Sequence, residues 1–114
     1  MAFAVVYITC PSEEAARSIG RQLVSERLAA CANLFPITSM YWWENKIQSE
    51  GEWVAIVKTA LDRWEALRER AIAVHPYEVP CVMKIEVEAN ASYEAWIKSE
   101  TRRDLQDTES INPG

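Results

Sequence analysis

Glycine and histidine are scarce in this chain. Its 114 residues hold three glycines, one histidine and three cysteines. So few glycines leave little material for a Gly-rich phosphate loop, and neither that motif nor a dinucleotide fingerprint is present. No Gly-rich nucleophile turn is present either, which weighs against a Cys-His hydrolase, and no catalytic residue is assigned. Cys10, Cys31 and Cys81 are odd in number, widely spaced and form no C-x-x-C pair. That pattern disfavours a structural zinc site and a disulfide framework, and reduced thiols in the cytoplasm are its simplest account. Positive charge is also short, with 12 Lys and Arg against 17 Asp and Glu and a net charge of -5. Binding to nucleic-acid phosphates or to an anionic membrane needs clustered basic residues, so neither partner is expected. No apolar run reaches transmembrane length. The apolar stretch that runs to Ile8 lacks the basic start and cleavage site of a signal peptide and reads as a first strand.

Against these absences stand 49% hydrophobic residues and five tryptophans, enough for one domain with a modest core. Residues 3–10 are almost continuously apolar and read as a central strand buried on both faces. Ser12 caps a helix expected to reach about Ala30, with Glu13 and Glu14 in its first turn. Leu34 to Ile47 reads as a long strand with a bulge or kink at Glu44-Asn45. Residues 48–51 read as the hairpin turn, and Glu52 to Thr59 as the returning strand. A second helix starts at Asp62, in an approximate capping box with Glu65, and stops at Pro76. Val79 to Val87 reads as a fourth strand. A short third helix carries Tyr93, Trp96 and Ile97. The domain is expected to cover residues 1–103, with residues 104–114 a disordered tail.

The order strand, helix, strand, strand, helix, strand predicts an α+β ferredoxin-like fold with an additional C-terminal helix. Its four-stranded antiparallel sheet would carry two helices on one face. The open face then needs a cover. Two helices cannot hide five tryptophans, and a two-stranded extension is poorly stable by itself. A neighbouring subunit in a closed cyclic assembly would supply that cover.

His75-Pro76-Tyr77-Glu78-Val79-Pro80 stands out chemically. Its two prolines fix two φ angles and push His75 and Val79 toward extended geometry. The segment is a stiff bracket that presents an imidazole, a phenol and a carboxylate. Locally it also reads as a helix stop and strand entry whose tyrosine packs on the core.

Five stretches together resemble the CutA family of divalent-cation tolerance proteins. They are Leu28-Ala29-Ala30-Cys31-Ala32-Asn33, Ser39-Met40-Tyr41-Trp42-Trp43-Glu44, Lys58-Thr59, the bracket, and Asn90 with Tyr93 and Trp96-Ile97. The likeness spans roughly residues 4–102. It implies a ferredoxin-like homotrimer with strands paired between subunits through the long hairpin. It also implies tolerance to copper and other divalent metals, binding of Cu(II), and no established reaction. This chain departs from the family pattern at Asn45 and Ala89, where glycine is usual, and at Cys81, where glutamate is usual.

His75 is a candidate metal ligand, since neutral imidazole suits Cu(II) and its neighbours in the Irving–Williams order. One histidine cannot form a site by itself, but three subunits supply three. Its alternative role is a cap on the second helix. Cys31 and Cys81 are candidate soft ligands, Cys81 as a second thiolate near His75, while Cys31 also reads as an ordinary core thiol and Cys10 as a structural one. Glu44, Lys58, Tyr77, Glu78, Trp43 and Tyr93 are candidate linings of a ligand pocket at a subunit interface. An ion pair at a seam accounts equally for Lys58, and core anchoring for the tryptophans. A competing function is a trimeric small-molecule-binding signalling protein resembling the nitrogen-regulatory trimers, in which Lys58, Glu44 and Tyr77 carry the binding.

Overall fold

The computed structural model describes residues 2–102. Strand β1 (Ala2–Cys10) is followed by helix α1 (Glu13–Ser25), and strands β2 (Cys31–Trp43) and β3 (Lys46–Thr59) form a long hairpin. A 3-10 turn (Leu61–Arg63) leads into α2 (Trp64–Val74), then β4 (Val82–Glu88) and α3 (Ala91–Glu100). The strands lie in the order β2-β3-β1-β4, antiparallel throughout, which is the expected ferredoxin-like α+β topology.

Local chemistry explains most element ends. The Ser12 hydroxyl accepts from the Ala15 amide at 3.1 Å, satisfying one free N–H of the first turn of α1, where Glu13 and Glu14 complement the helix dipole. α1 ends at Ser25, short of the expected Ala30, and the chain then reverses through Arg27 at φ 62°. Asp62 does not cap α2. It lies in the 3-10 turn and its carboxylate pairs with Arg102. At Gly20 an added Cβ would come within 3.1 Å of the Ala32 Cβ, so glycine lets α1 sit close on β2.

The hairpin corrects one expectation. Residues 48–51 are not a turn but a paired stretch of β3, and the reversal lies at Glu44-Asn45. Both residues have positive φ, 52° and 63°, the sign pattern of a two-residue type I′ turn. The chain is thus continuous strand from Lys46 to Thr59, and the arm is longer than the pattern suggested. The fourth strand also starts later than expected, at Val82, because residues 75–81 are held outside the sheet.

The two faces of the sheet differ. Ala4, Val6, Ile8 and Cys10 of β1, with Ala55 and Val57 of β3, pack against Ile19 and Leu23 of α1 and Leu67 and Ala71 of α2. On the opposite face α3 covers one end, where Ile97, Tyr93 and Trp96 meet Phe3, Val5 and Val87. Past α3 that face is open. Register places Phe35, Val54, Ile56, Tyr7, Met83 and Ile85 on it together. Phe35, Met83 and Ile85 are 37%, 46% and 48% exposed. β1 is therefore central, but it is not buried on both faces over its whole length.

Candidate functional site

The bracket carries the chain around the end of the sheet, from the helix side to the open face. His75 is the C-cap of α2, in extended geometry before Pro76. Its Nδ1 accepts the Tyr77 amide at 3.0 Å, and its Nε2 lies 2.7 Å from the carbonyl oxygen of Thr9. An amide only donates and a carbonyl only accepts, so Nδ1 offers its lone pair and Nε2 carries the proton. Both ring nitrogens are occupied within the chain.

Beyond the histidine, the Tyr77 hydroxyl donates a 2.5 Å hydrogen bond to Oε2 of Glu52. Glu52 is only 7% exposed. Burial first, and then this carboxylate, hold the Tyr77 phenol above its usual range. The same two causes raise the Cys81 thiol and push Cys10 up to about 11. These two cysteines are protonated at neutral pH, and neither is an activated thiolate. Cys10 lies in the helix-side core.

Around Tyr77 and Glu52 opens a cavity of about 590 Å³. Tyr41, Trp42 and Trp43 of the hairpin form one wall, and Glu78, Val79 and Cys81 of the bracket and its exit form another. Thr9, Gln48, Glu50 and Glu52 complete the lining, and the Tyr41 hydroxyl donates to Glu50 at 3.0 Å.

A second polar cluster lies on the same face at the other end of β3. Lys58 Nζ donates to the Tyr93 hydroxyl at 3.2 Å, and the Cys31 Sγ lies 3.5 Å from the same oxygen. The Lys58 ammonium also stands 5.4 Å from the centre of the Tyr93 ring. Burial and the contact with Cys31 raise the Tyr93 phenol, although Lys58 opposes them. Lys58 and Glu52 are six positions apart on one strand, about 20 Å at ~3.3 Å per residue.

The candidate residues therefore divide. Trp43, Tyr77, Glu78 and Cys81 share the cavity, while Lys58, Tyr93 and Cys31 share the second cluster. Glu44 belongs to neither, since it sits at the tip of the hairpin. His75, Cys31 and Cys81 do not meet within one chain. Cys31 is bonded at the far end of the face and His75 is fully hydrogen-bonded, and among the described residues no three His, Cys, Asp or Glu side chains converge on a metal position. The described residues of a single chain thus do not fit a divalent ion. A Cys-His pair is also missing at His75, whose ring faces a carbonyl and an amide rather than a thiol. Sequence reasoning missed Glu52, Glu50 and Tyr41 as site residues. Glu52 carries a legible signal, because it alternates in phase with Val54, Ile56 and Lys58 on the strand.

Comparison with known proteins places this geometry. The family model of the CutA1 divalent ion tolerance protein matches residues 4–100. The chain belongs to the CutA1 family. The divalent-cation tolerance protein CutA of Pyrococcus horikoshii is 44% identical over 100 residues, which is 87% of this chain and 98% of that protein. The solved structure of the periplasmic divalent cation tolerance protein CutA from Archaeoglobus fulgidus superposes with a TM-score of 0.83 at 38% identity, covering 89% of this chain and 99% of that one. The PII-like protein CutA from Nostoc sp. PCC 7120, solved in apo form, gives a TM-score of 0.81 at 34% identity over 86% of this chain and 96% of its own. Among the described residues of this CutA1 chain, no helix is long and apolar enough to cross a membrane.

Proposed function

We propose that this CutA1 chain serves divalent-cation tolerance in the cytoplasm as a homotrimer, binding Cu(II) or another divalent cation at a site shared between subunits. The observation that carries the proposal is the open sheet face. Phe35, Met83 and Ile85 lie on it together and stand more than a third exposed, an arrangement that favours burial against another copy. The hairpin adds Met40, Trp42 and Ile47 at 76%, 70% and 67% exposure. The division of the candidate ligands supports a shared metal site. Cys31 and Cys81 sit in different clusters of one chain, which supports chelation with residues from a neighbour. Three free cysteines accord with a reducing compartment.

Calorimetric titration of Cu(II) into the assembled protein tests the metal proposal. Saturable binding that weakens in Cys31→Ser or Cys81→Ser and persists in His75→Ala is the expected result. Loss of binding in His75→Ala, with the fold intact, would return the imidazole to the ligand set.

A second reading is a small-molecule-binding signalling trimer, and the cavity of about 590 Å³ favours it. The Nostoc relative is named PII-like, which accords with that reading. A thermal-shift screen of metals against nucleotides, organic acids and amines separates the two.

A further inference from the structure

We propose that the cavity beside Tyr77 binds a small organic ammonium ion, a ligand class that a divalent metal site does not cover. The proposal rests on the small-molecule reading and names its ligand chemistry.

The walls are aromatic and acidic. Tyr41, Trp42, Trp43 and Tyr77 supply four rings, and Glu50, Glu52 and Glu78 supply three carboxyl groups. Among the described residues no Lys, Arg or His lines the cavity. Glu52 is the most informative of them. It is 7% exposed, its Oε2 is held by the neutral Tyr77 hydroxyl, and no cationic side chain is paired with it among the described residues. A carboxylate so far removed from water, with only a phenol for a partner, gains from a cation brought into the cavity.

The form of the cation follows from the layout. A bare metal ion needs several oxygen or sulfur ligands converging at about 2–2.6 Å, and no such convergence exists among the described residues. The carboxyl groups here do not gather at one point: Glu52 accepts from the Tyr77 hydroxyl and Glu50 from the Tyr41 hydroxyl. That layout suits a diffuse, weakly hydrated charge such as an alkylated ammonium, attracted by the rings and balanced by carboxylates at a distance. Tyr41, Trp43 and Tyr77 line the cavity and are the aromatic residues that would receive it. The volume of about 590 Å³ falls in the range of small-molecule sites.

The test is a titration of the full-length protein with tetramethylammonium and with butylammonium, each against sodium chloride at equal ionic strength. Tryptophan fluorescence and calorimetry are the readouts. Saturable binding of at least one ammonium is expected, weakened about tenfold or more in Glu52→Gln and Trp43→Leu. The exposed-helix control Glu13→Gln should bind as the parent does. If Glu52→Gln does not fold, Glu78→Gln and Trp43→Leu carry the test. No saturable binding of either ammonium, or binding that all these variants leave unchanged, overturns the proposal. A thermal shift with a nucleotide or organic acid but with neither ammonium overturns it too, while leaving the small-molecule reading standing. A cationic side chain of another subunit filling the cavity would exclude both probes, which counts against the proposal in the same way.

Discussion

The Tyr77 hydroxyl and the Glu52 carboxylate, 2.5 Å apart, join the bracket after α2 to strand β3 on the open side of the sheet. This contact fixes one wall of the cavity, beside which burial first, and then the Glu52 charge, raise the proton affinity of the Cys81 and Cys10 thiols.

Tyr77→Phe deletes the donor and leaves Glu52 buried without it. The expected loss is about 1–3 kcal/mol of unfolding free energy, the usual cost of a buried acceptor that loses its partner. Denaturant unfolding at fixed protein concentration measures it. An unchanged midpoint would show that the hydroxyl contributes nothing to the fold.

Cys10 gives a pH dependence with a definite sign. Its thiol moves from 9.0 to about 11 in the folded protein, chiefly through burial. The folded state therefore holds the proton more tightly than the unfolded chain. The stability this provides is fully present below pH 9 and is lost as pH rises through about 11. Cys81 and Tyr77, raised in the same direction, add to the fall at alkaline pH. Thermal unfolding followed from neutral pH upward should show the decline, and Cys10→Ala should flatten it. A curve that is identical in the variant would remove Cys10 from the cause.

The turn at Glu44-Asn45 predicts opposite effects for two substitutions at one position. Asn45 has φ 63°, which glycine adopts freely and β-branched residues resist. Asn45→Gly should leave stability unchanged or raise it slightly. Asn45→Val should lower it by about 1–2 kcal/mol, read from the same denaturation experiment.

Ile85 separates a lone subunit from an assembled one. At 48% exposure on a strand surface, its replacement by lysine would cost a monomer no more than about 0.5 kcal/mol. In a trimer that buries this face, Ile85→Lys should shift the protein toward smaller species in size-exclusion chromatography with light scattering. Retention of the parent mass would place Ile85 outside the interface.

The topology was legible because burial pattern and capping chemistry agree along most of the chain. Ser12 before Glu13 and Glu14 marks α1, and Pro76 marks the end of α2, where local chemistry alone decides. The hairpin turn was misplaced for a physical reason. Gly51 resembles a turn residue but lies in open strand where a Cβ would touch nothing, whereas Glu44, an uncommon residue at positive φ, makes the real reversal. The site was only half legible. The bracket announced its rigidity, but the partners of His75 did not appear in the pattern, because one of them is the backbone carbonyl of Thr9, 66 positions away. Glu52 was passed over because the turn had been placed next to it. Once β3 begins at Lys46, Glu52 falls inside the strand and on the open face.

The open face is the centre of this account, and the mass of the protein in solution tests it most directly. Sedimentation equilibrium at micromolar concentration should give three times the 13.0 kDa of one chain. A single stable species at the mass of one chain would contradict it, since Phe35, Met83 and Ile85 would then face water by design rather than a neighbouring subunit.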